Sequence, residues 1–374
     1  MARRILLSST SYPRSSEDWQ SLFIREMLAA LARQSDSPLG YWGPAGPLPD
    51  NVTFLGSESD AAFLKNLGER GGIAQLLRSN PIAGLLAGLN LVGRMRRTLR
   101  RYRAGVDIFP LNWLQSALGI PGVGNRALIT VLGTDYKLLE LPGMRALMRR
   151  QFAGNRVALT PNAEWMVPHL ERAFGPHVHI VRCVPFGIDA RFYEIRHRPE
   201  GCVRRWLTVL RLTRAKIGPL LEWTKKHASA RDEFHLFGPM QEKMKLPEWI
   251  HHHGPVTPES LISDWYPRAT GMITLSEHDE GRPQVLLEAM ASGLPIIASR
   301  LNAHDDLIAS TKGGLLVGDE AEFGAALSTL SNPYMREKIA ASARSAVEST
   351  YGTWDDCAER YCSVYHELLK DRQS

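Results

Sequence analysis

The sequence predicts an α/β protein of two domains, each built on a parallel sheet, and three observations point there. Short apolar runs alternate with helical segments along the whole chain. The chain has 374 residues, more than one hydrophobic core ordinarily organises. A turn-rich crossing, Val184-Pro185-Phe186-Gly187-Ile188-Asp189, interrupts the alternation near the middle, and a second strand–helix series follows it. The expected domains are residues 1–182 and 183–354, with residues 355–374 as a final helix.

The elements can be placed in order. Arg4–Ser8 reads as a first buried strand, Ser8–Ser16 as a hydroxyl-rich loop, and Glu17–Gln34 as a helix carried by Leu22, Met27 and Leu31. Strands are expected at Asp107–Pro110, Ala127–Leu132 and Val157–Leu159. A helix is expected to open at Thr160-Pro161, with threonine as cap and proline at the first helical position. The second series has strands at Trp206–Leu210, Glu233–Phe237, Gly271–Leu275 and Pro295–Ala298, and ends on an amphipathic helix, Asp355–Lys370. Two such units joined by an irregular linker leave a cleft, with ligands at the carboxyl ends of strands.

Composition narrows the class. Hydrophobic content of 44% and charged content of 22% are those of an ordinary globular protein. The four cysteines show neither CxxC nor ligand spacing, so disulfide scaffold and zinc site are both disfavoured. The apolar run after Met1 is too short for a signal peptide, and no apolar stretch reaches the length of a bilayer span. Charge is uneven: residues 1–180 hold 21 Lys+Arg against 13 Asp+Glu, and the remainder 24 against 26. The first half is therefore expected to meet something anionic.

The sharpest local signal is Glu280-Gly281-Arg282-Pro283-Gln284-Val285-Leu286-Leu287-Glu288, continuing to Gly293-Leu294-Pro295. A polar loop follows an apolar strand, Pro283 suits a helix start, and Gly293-Pro295 suits its end. The helix N-terminus beside Gly281 then presents free N–H groups, an anion site fit for phosphate. Glu280 precedes that terminus and Glu288 lies roughly 12 Å along, at about 1.5 Å per residue. Two carboxylates flanking a diphosphate match the polarity of sugar–diphosphate–ribose.

This segment resembles the E-x7-E signature of retaining GT-B glycosyltransferases, in particular the large family 4. The resemblance implies two Rossmann-like domains facing a cleft. It implies that Glu280 contacts hydroxyls of the donor sugar and Glu288 the ribose, with Gly281, Arg282, Pro283 and Leu287 in the same donor site. Leu210-Arg211-Leu212-Thr213-Arg214-Ala215-Lys216 resembles the family's G-R-L-x-x-x-K-G, which aims Arg211 and Lys216 at the diphosphate. Two glycines of that pattern are Leu210 and Ile217 here. Phe237-Gly238, Gly254-Pro255-Val256 and Tyr266 resemble segments that cradle the base, so Gly238 and Val256 join the donor-binding set. Tyr351–Leu369 resembles the closing helix that returns toward the first domain.

The first half departs from the pattern. Ser15-Ser16-Glu17-Asp18 stands where a glycine pair is usual, and Leu132 stands where many relatives carry histidine. Asp135 remains and is a candidate catalytic residue, the alternative being a helix cap. Outside the motifs, Ile82, Leu85, Leu86, Leu89 and Val92 form an apolar stripe that runs into Arg94, Arg96, Arg97, Arg100, Arg101 and Arg103. Pro81–Arg103 reads as a helix lying on an anionic membrane, or as a core-facing helix with a solvated end. Nucleic acid is not expected, since no recognition module is evident. His251-His252-His253 reads as a surface turn, because three consecutive residues cannot face one ion.

These readings converge on transfer of a hexose from a nucleoside diphosphate sugar to a hydroxyl, with retention as the resemblance implies. Arg211, Lys216 and the helix terminus would stabilise the departing diphosphate, so no metal or other cofactor is expected. The acceptor is expected to be a glycan or lipid-linked, as in bacterial-type surface-glycan assembly, including lipopolysaccharide. The expected location is the cytoplasm, at the inner membrane face. The alternatives are a non-catalytic glycosyltransferase-like subunit and a GT-B-type epimerase or phosphorylase.

Overall fold

The structure, a computed structural model, describes residues 4–15, 18, 21–197 and 202–370. The chain divides into two compact units, Met1–Phe186 with Asp355–Ser374, and Gly187–Trp354. Each is a parallel sheet with helices on both faces.

The first unit contains β1 (Leu6–Ser8), β2 (Leu39–Trp42), β3 (Val52–Phe54), β4 (Phe109–Asn112), β5 (Arg126–Val131), β6 (Arg156–Pro161) and β7 (Ile180–Val181). Their order is β3-β2-β1-β4-β5-β6-β7, and every pairing is parallel. The second contains β8 (Arg204–Val209), β9 (Asp232–Phe237), β10 (Ile250–Gly254), β11 (Gly271–Thr274), β12 (Ile296–Ser299) and β13 (Gly314–Val317), in the order β10-β9-β8-β11-β12-β13. Strand order reverses once in each sheet, between β1 and β4 and between β8 and β11. Loops leaving the strands at such a point part to opposite sides and leave a crevice.

Both faces of the central strands β11 and β12 are buried, which explains why they read as continuous apolar runs rather than alternating ones. Leu207, Met272 and Ile296 pack on one face with the helix Gln284–Ala291, while Trp206, Ile273 and Ile297 pack on the other with Leu220, Phe323 and Leu327. In the first unit the helix Trp354–Leu369 lays Tyr361 on the sheet, its hydroxyl 2.9 Å from Thr130 Oγ1, and Arg182 holds Glu367 at 2.6 Å.

Several expectations are corrected. No helix opens at Thr160-Pro161: both residues end β6, paired with Thr130 and Val131, and the helix begins at Val167. A proline at the last strand position costs at most one ladder bond, and its carbonyl still accepts from Val184 N–H at 2.9 Å. His251-His252-His253 is not a turn but the exposed edge strand β10. His251 and His253 stack on His235 of β9, with ring centroids 5.0 and 5.2 Å away, and this cross-strand packing keeps three polar residues in a strand. The first helix runs Leu22–Arg33. Ser16 and Glu17 lie outside the described residues, so the altered loop and the expected helix start at Glu17 do as well.

Candidate functional site

The crevice between β8 and β11 brings together three of the expected residues, Lys216, Glu280 and Pro283. A cavity of about 140 Å³ opens there, lined by Leu210, Lys216, Thr274, Ser276, Glu280 and Pro283 among others. Its walls are two loops locked together. Thr213 caps the single helical turn Arg214–Ile217, its Oγ1 accepting from Lys216 N–H at 3.3 Å. Ala215 O then accepts from Glu277 N–H at 2.7 Å, tying the loop after β8 to the loop after β11. Gly218 closes the turn with φ +52°, and a Cβ there would sit 2.0 Å from Leu275 O. The glycine that the resemblance places at 217 is thus found one residue later, where the close approach needs it.

These contacts set Lys216 Nζ against Glu280 Oε1 as a tight ion pair with both side chains largely buried. The pair stands just ahead of the helix Gln284–Ala291, whose first N–H groups precede any intrahelical bond. Pro283 is the residue before the helix rather than its first residue. Arg211, next in the chain to Leu210 of the cavity wall, is exposed and makes no side-chain hydrogen bond or ion pair among the described residues. Gly238, φ +125°, brings its backbone so close to Leu210 that a Cβ would stand 1.9 Å from Leu210 O, which sets the end of β9 beside Arg211. Gly238 N–H donates to Gly254 O at 2.7 Å, and Val256 follows, half-buried against the core.

Glu288 is a turn into the helix, half-buried, with no donor to its carboxyl among the described residues. Burial pushes it up to about 8, and the Asp189 carboxylate adds to the shift. The buried Tyr266 hydroxyl, itself without a partner, feels the same charge. The folded carboxyl therefore binds its proton more tightly than the unfolded one. Its neutral form is favoured up to about pH 8, and ionising it costs stability progressively from about pH 4.5 to 8. A ribose donating hydrogen bonds to the ionised form would recover that cost. Nucleotide affinity should accordingly rise with pH up to about 8 and then level off, by at most about tenfold per pH unit. Titration calorimetry from pH 6 to 9 checks this, and Glu288→Gln should flatten the profile.

Other expected site residues are committed elsewhere. Arg282 is 4% exposed, pairs with Asp306 at 2.6 Å and lies under the Tyr351 ring at 4.8 Å. It pins the loop to the helix Asn302–Thr311 rather than facing the cavity. Leu287 is fully buried in the core, so only its backbone can reach a ligand. Asp135, in the first unit, accepts from Leu114 N–H at 2.8 Å and Leu132 N–H at 3.0 Å. Both its oxygens hold loops together, and burial pushes it up to about 6 against those two bonds. Among the described residues no group of His, Cys, Asp or Glu side chains is placed to hold a metal ion.

Sequence reading missed His304, buried in the first turn of the helix after β12. Its Nδ1–H donates to Ser299 O at 2.9 Å, and burial holds its pKa below the usual value. Glu280 and Lys216 both act on it electrostatically, which places it behind the ion pair. The signal was a lone histidine in the segment after a strand, which nothing local distinguishes from a core residue.

Residues 207–332, which span this site, match the family model described as "Glycosyl transferases group 1". The D-inositol 3-phosphate glycosyltransferase of Acidothermus cellulolyticus is 25% identical over 266 residues, 62% of this chain and 58% of that protein. The chain thus spans just over half the length of that relative. Sucrose-phosphate synthase from Thermosynechococcus elongatus superposes with a TM-score of 0.71 at 15% identity, over 98% of this chain and 99% of that one. The UDP-forming α,α-trehalose-phosphate synthase of Burkholderia xenovorans gives 0.69 at 12%, over 99% and 100%. Over residues 207–332 the chain is therefore similar to the glycosyl transferases of group 1, and its two parallel-sheet units have the GT-B fold.

Proposed function

We propose that the protein is a metal-independent, retaining glycosyltransferase of the family 4 type that moves a hexose from a nucleoside diphosphate sugar to a hydroxyl. The observation that carries this reading is the Lys216–Glu280 pair, set at the strand-order reversal beside a helix N-terminus. Lys216, Arg211 and the first N–H groups of the helix Gln284–Ala291 would take the charge that collects on the diphosphate as the sugar bond breaks. Glu280 would accept from sugar hydroxyls and Glu288 from the ribose, with Gly238 and Val256 beside the base. A diphosphate oxygen could deprotonate the acceptor on the face it leaves, which needs no protein base and gives retention. Incubation with UDP-, GDP- and ADP-hexoses tests the reading: slow consumption of one donor supports it, with the released sugar keeping its anomeric configuration. A protein that binds a donor and never consumes it is a non-catalytic subunit.

The acceptor we infer is lipid-linked, as in surface-glycan assembly at the inner face of the membrane. The support is the helix Pro81–Tyr102. Its buried face is Gly84, Leu91, Met95, Thr98 and Leu99. On the other face Ile82, Leu85, Leu86 and Leu89 are 74, 60, 61 and 62% exposed. At 100° per residue these four share a stripe about 120° wide with Arg96, Arg97 and Arg100. No acidic residue occurs in the helix. Arg94 lies off this stripe, paired with Asp60 at 3.0 Å, Arg96 donates to Ile120 O and Gln151 Oε1 at 3.3 Å each, and Arg103 donates to Val123 O. An apolar ridge continued by cations suits an anionic bilayer, each arginine contributing about 1 kcal/mol near the surface. No helix among the described residues is long and apolar enough to cross a membrane. Wild-type protein should co-sediment with phosphatidylglycerol vesicles and dissociate as salt rises. The triple variant Arg96→Gln, Arg97→Gln, Arg100→Gln should be largely released, and wild type that ignores such vesicles at low salt would remove the lipid-linked acceptor.

A further inference from the structure

Glu280 stands on residues 275–283, a stretch between β11 and the helix Gln284–Ala291 that forms neither helix nor strand. An irregular loop places a carboxylate only as well as its anchors do. The helix Asn302–Thr311 supplies anchors on both sides of it. Beyond Glu280, Asp306 holds Arg282 at 2.6 Å. Before it, Ser299 Oγ–H at the end of β12 donates to Ser276 O at 2.5 Å, and His304 meets that serine from the helix.

His304 is 1% exposed, and burying an imidazole costs free energy unless a hydrogen bond uses it. Its Nδ1 lies 2.9 Å from Ser299 O and 3.4 Å from Ser299 Oγ. A carbonyl only accepts, so Nδ1 carries the proton. That N–H faces both oxygens of Ser299, and the hydroxyl turns its own proton away, toward Ser276 O. Ser276 in turn begins the loop. Its Oγ accepts from His278 N–H at 3.1 Å, and the next residue, Glu277, donates to Ala215 O. Ser276, Glu280 and Lys216 line the same cavity, so the path from imidazole to carboxylate ends in the site. An apolar side chain at 304 would fill the space and leave the Ser299 hydroxyl free to rotate.

We infer that His304 is a positioning residue for Glu280, fixing the loop that carries the carboxylate through Ser299 and Ser276. The role of Glu280 rests on the proposed function, whereas the placement of its loop can be measured by binding alone.

Calorimetry with UDP-glucose, GDP-mannose and ADP-glucose, each against its free diphosphate, tests the assignment on the whole chain. In His304→Leu the sugar nucleotide should bind about tenfold more weakly, the loss of one well-placed bond to a carboxylate, and the free diphosphate within about twofold of wild type. Ser299→Ala should do the same, and the double variant should be no worse than either, because both break one path. His304→Asn keeps an N–H where Nδ1 stands and should restore most of the loss. His304→Leu should fold as wild type does, because Ser299 O retains Leu301 N–H at 3.0 Å and no buried group is left unsatisfied. Equal losses for Asn and Leu, additive losses for the two sites, or a diphosphate affinity that falls in step would overturn the assignment.

A second readout needs no nucleotide. Glu280 and Asp305 favour the protonated imidazole and Lys216 opposes it. In an NMR titration Lys216→Ala should therefore move His304 upward in pH and Glu280→Gln downward. A titration unmoved by both would overturn the assignment as well. Protein that binds a sugar nucleotide and never consumes it removes the transferase reading and leaves these ratios to decide the role of His304. Donor consumption at the wild-type rate by His304→Leu overturns that role and leaves the transferase reading standing.

Discussion

Lys216→Ala should reduce nucleoside diphosphate affinity by about 10- to 150-fold, the worth of one charge-assisted hydrogen bond of 1.5–3 kcal/mol. The loss has two sources. The ammonium that meets the phosphates is gone, and the Glu280 carboxylate it neutralised now faces them alone. Affinity for the bare nucleoside should change little. Adding Glu280→Gln to Lys216→Ala should restore part of the diphosphate affinity and none of the turnover. Titration calorimetry on the four proteins of this cycle measures both terms. Additive losses would mean that the two side chains do not act on one ligand.

Glu280→Gln alone has the second large effect, and its two readouts should move in opposite directions. Turnover should fall tenfold or more, since a carboxamide replaces a charged acceptor for sugar hydroxyls, worth about 1.5–3 kcal/mol. Free nucleoside diphosphate should bind as well as in wild type or more tightly, because Lys216 is released from its competing partner. Collapse of nucleotide affinity, with normal turnover per bound donor, would exchange the roles given to Glu280 and Glu288.

The second half of the chain was legible because its signals are local. Glycine, proline and two glutamates fall within nine residues, and a strand, loop and helix follow from them. What was not legible depends on residues far apart. Lys216 and Glu280 are 64 positions apart in the chain, and the pairing of β8 with β11 and the Ala215–Glu277 bond bring them together. Arg282 reads as part of the donor segment until Asp306 and Tyr351 are seen to claim it. The strands β2, β3 and β13 were not placed, and β10 was read as a turn because three successive histidines carry no apolar pattern. Thr160-Pro161 misled because a cap and a strand end use the same residues, and only the pairing with Thr130 and Val131 decides. The apolar stripe of the Pro81–Tyr102 helix left core and surface open. Exposure of Ile82 and its neighbours answers that, since Leu91, Met95 and Leu99 serve the core instead.

The central claim is that the crevice between β8 and β11 holds a diphosphate through Lys216 and Arg211. The most direct measurement is the ratio of affinities of wild type for a nucleoside diphosphate and for the matching nucleoside, in UDP, GDP and ADP series. For one base the diphosphate should bind at least about a hundredfold more tightly. Lys216→Ala and Arg211→Ala should each bring that ratio down by tenfold or more. Equal ratios in wild type and both variants would contradict the claim and take these residues out of the site.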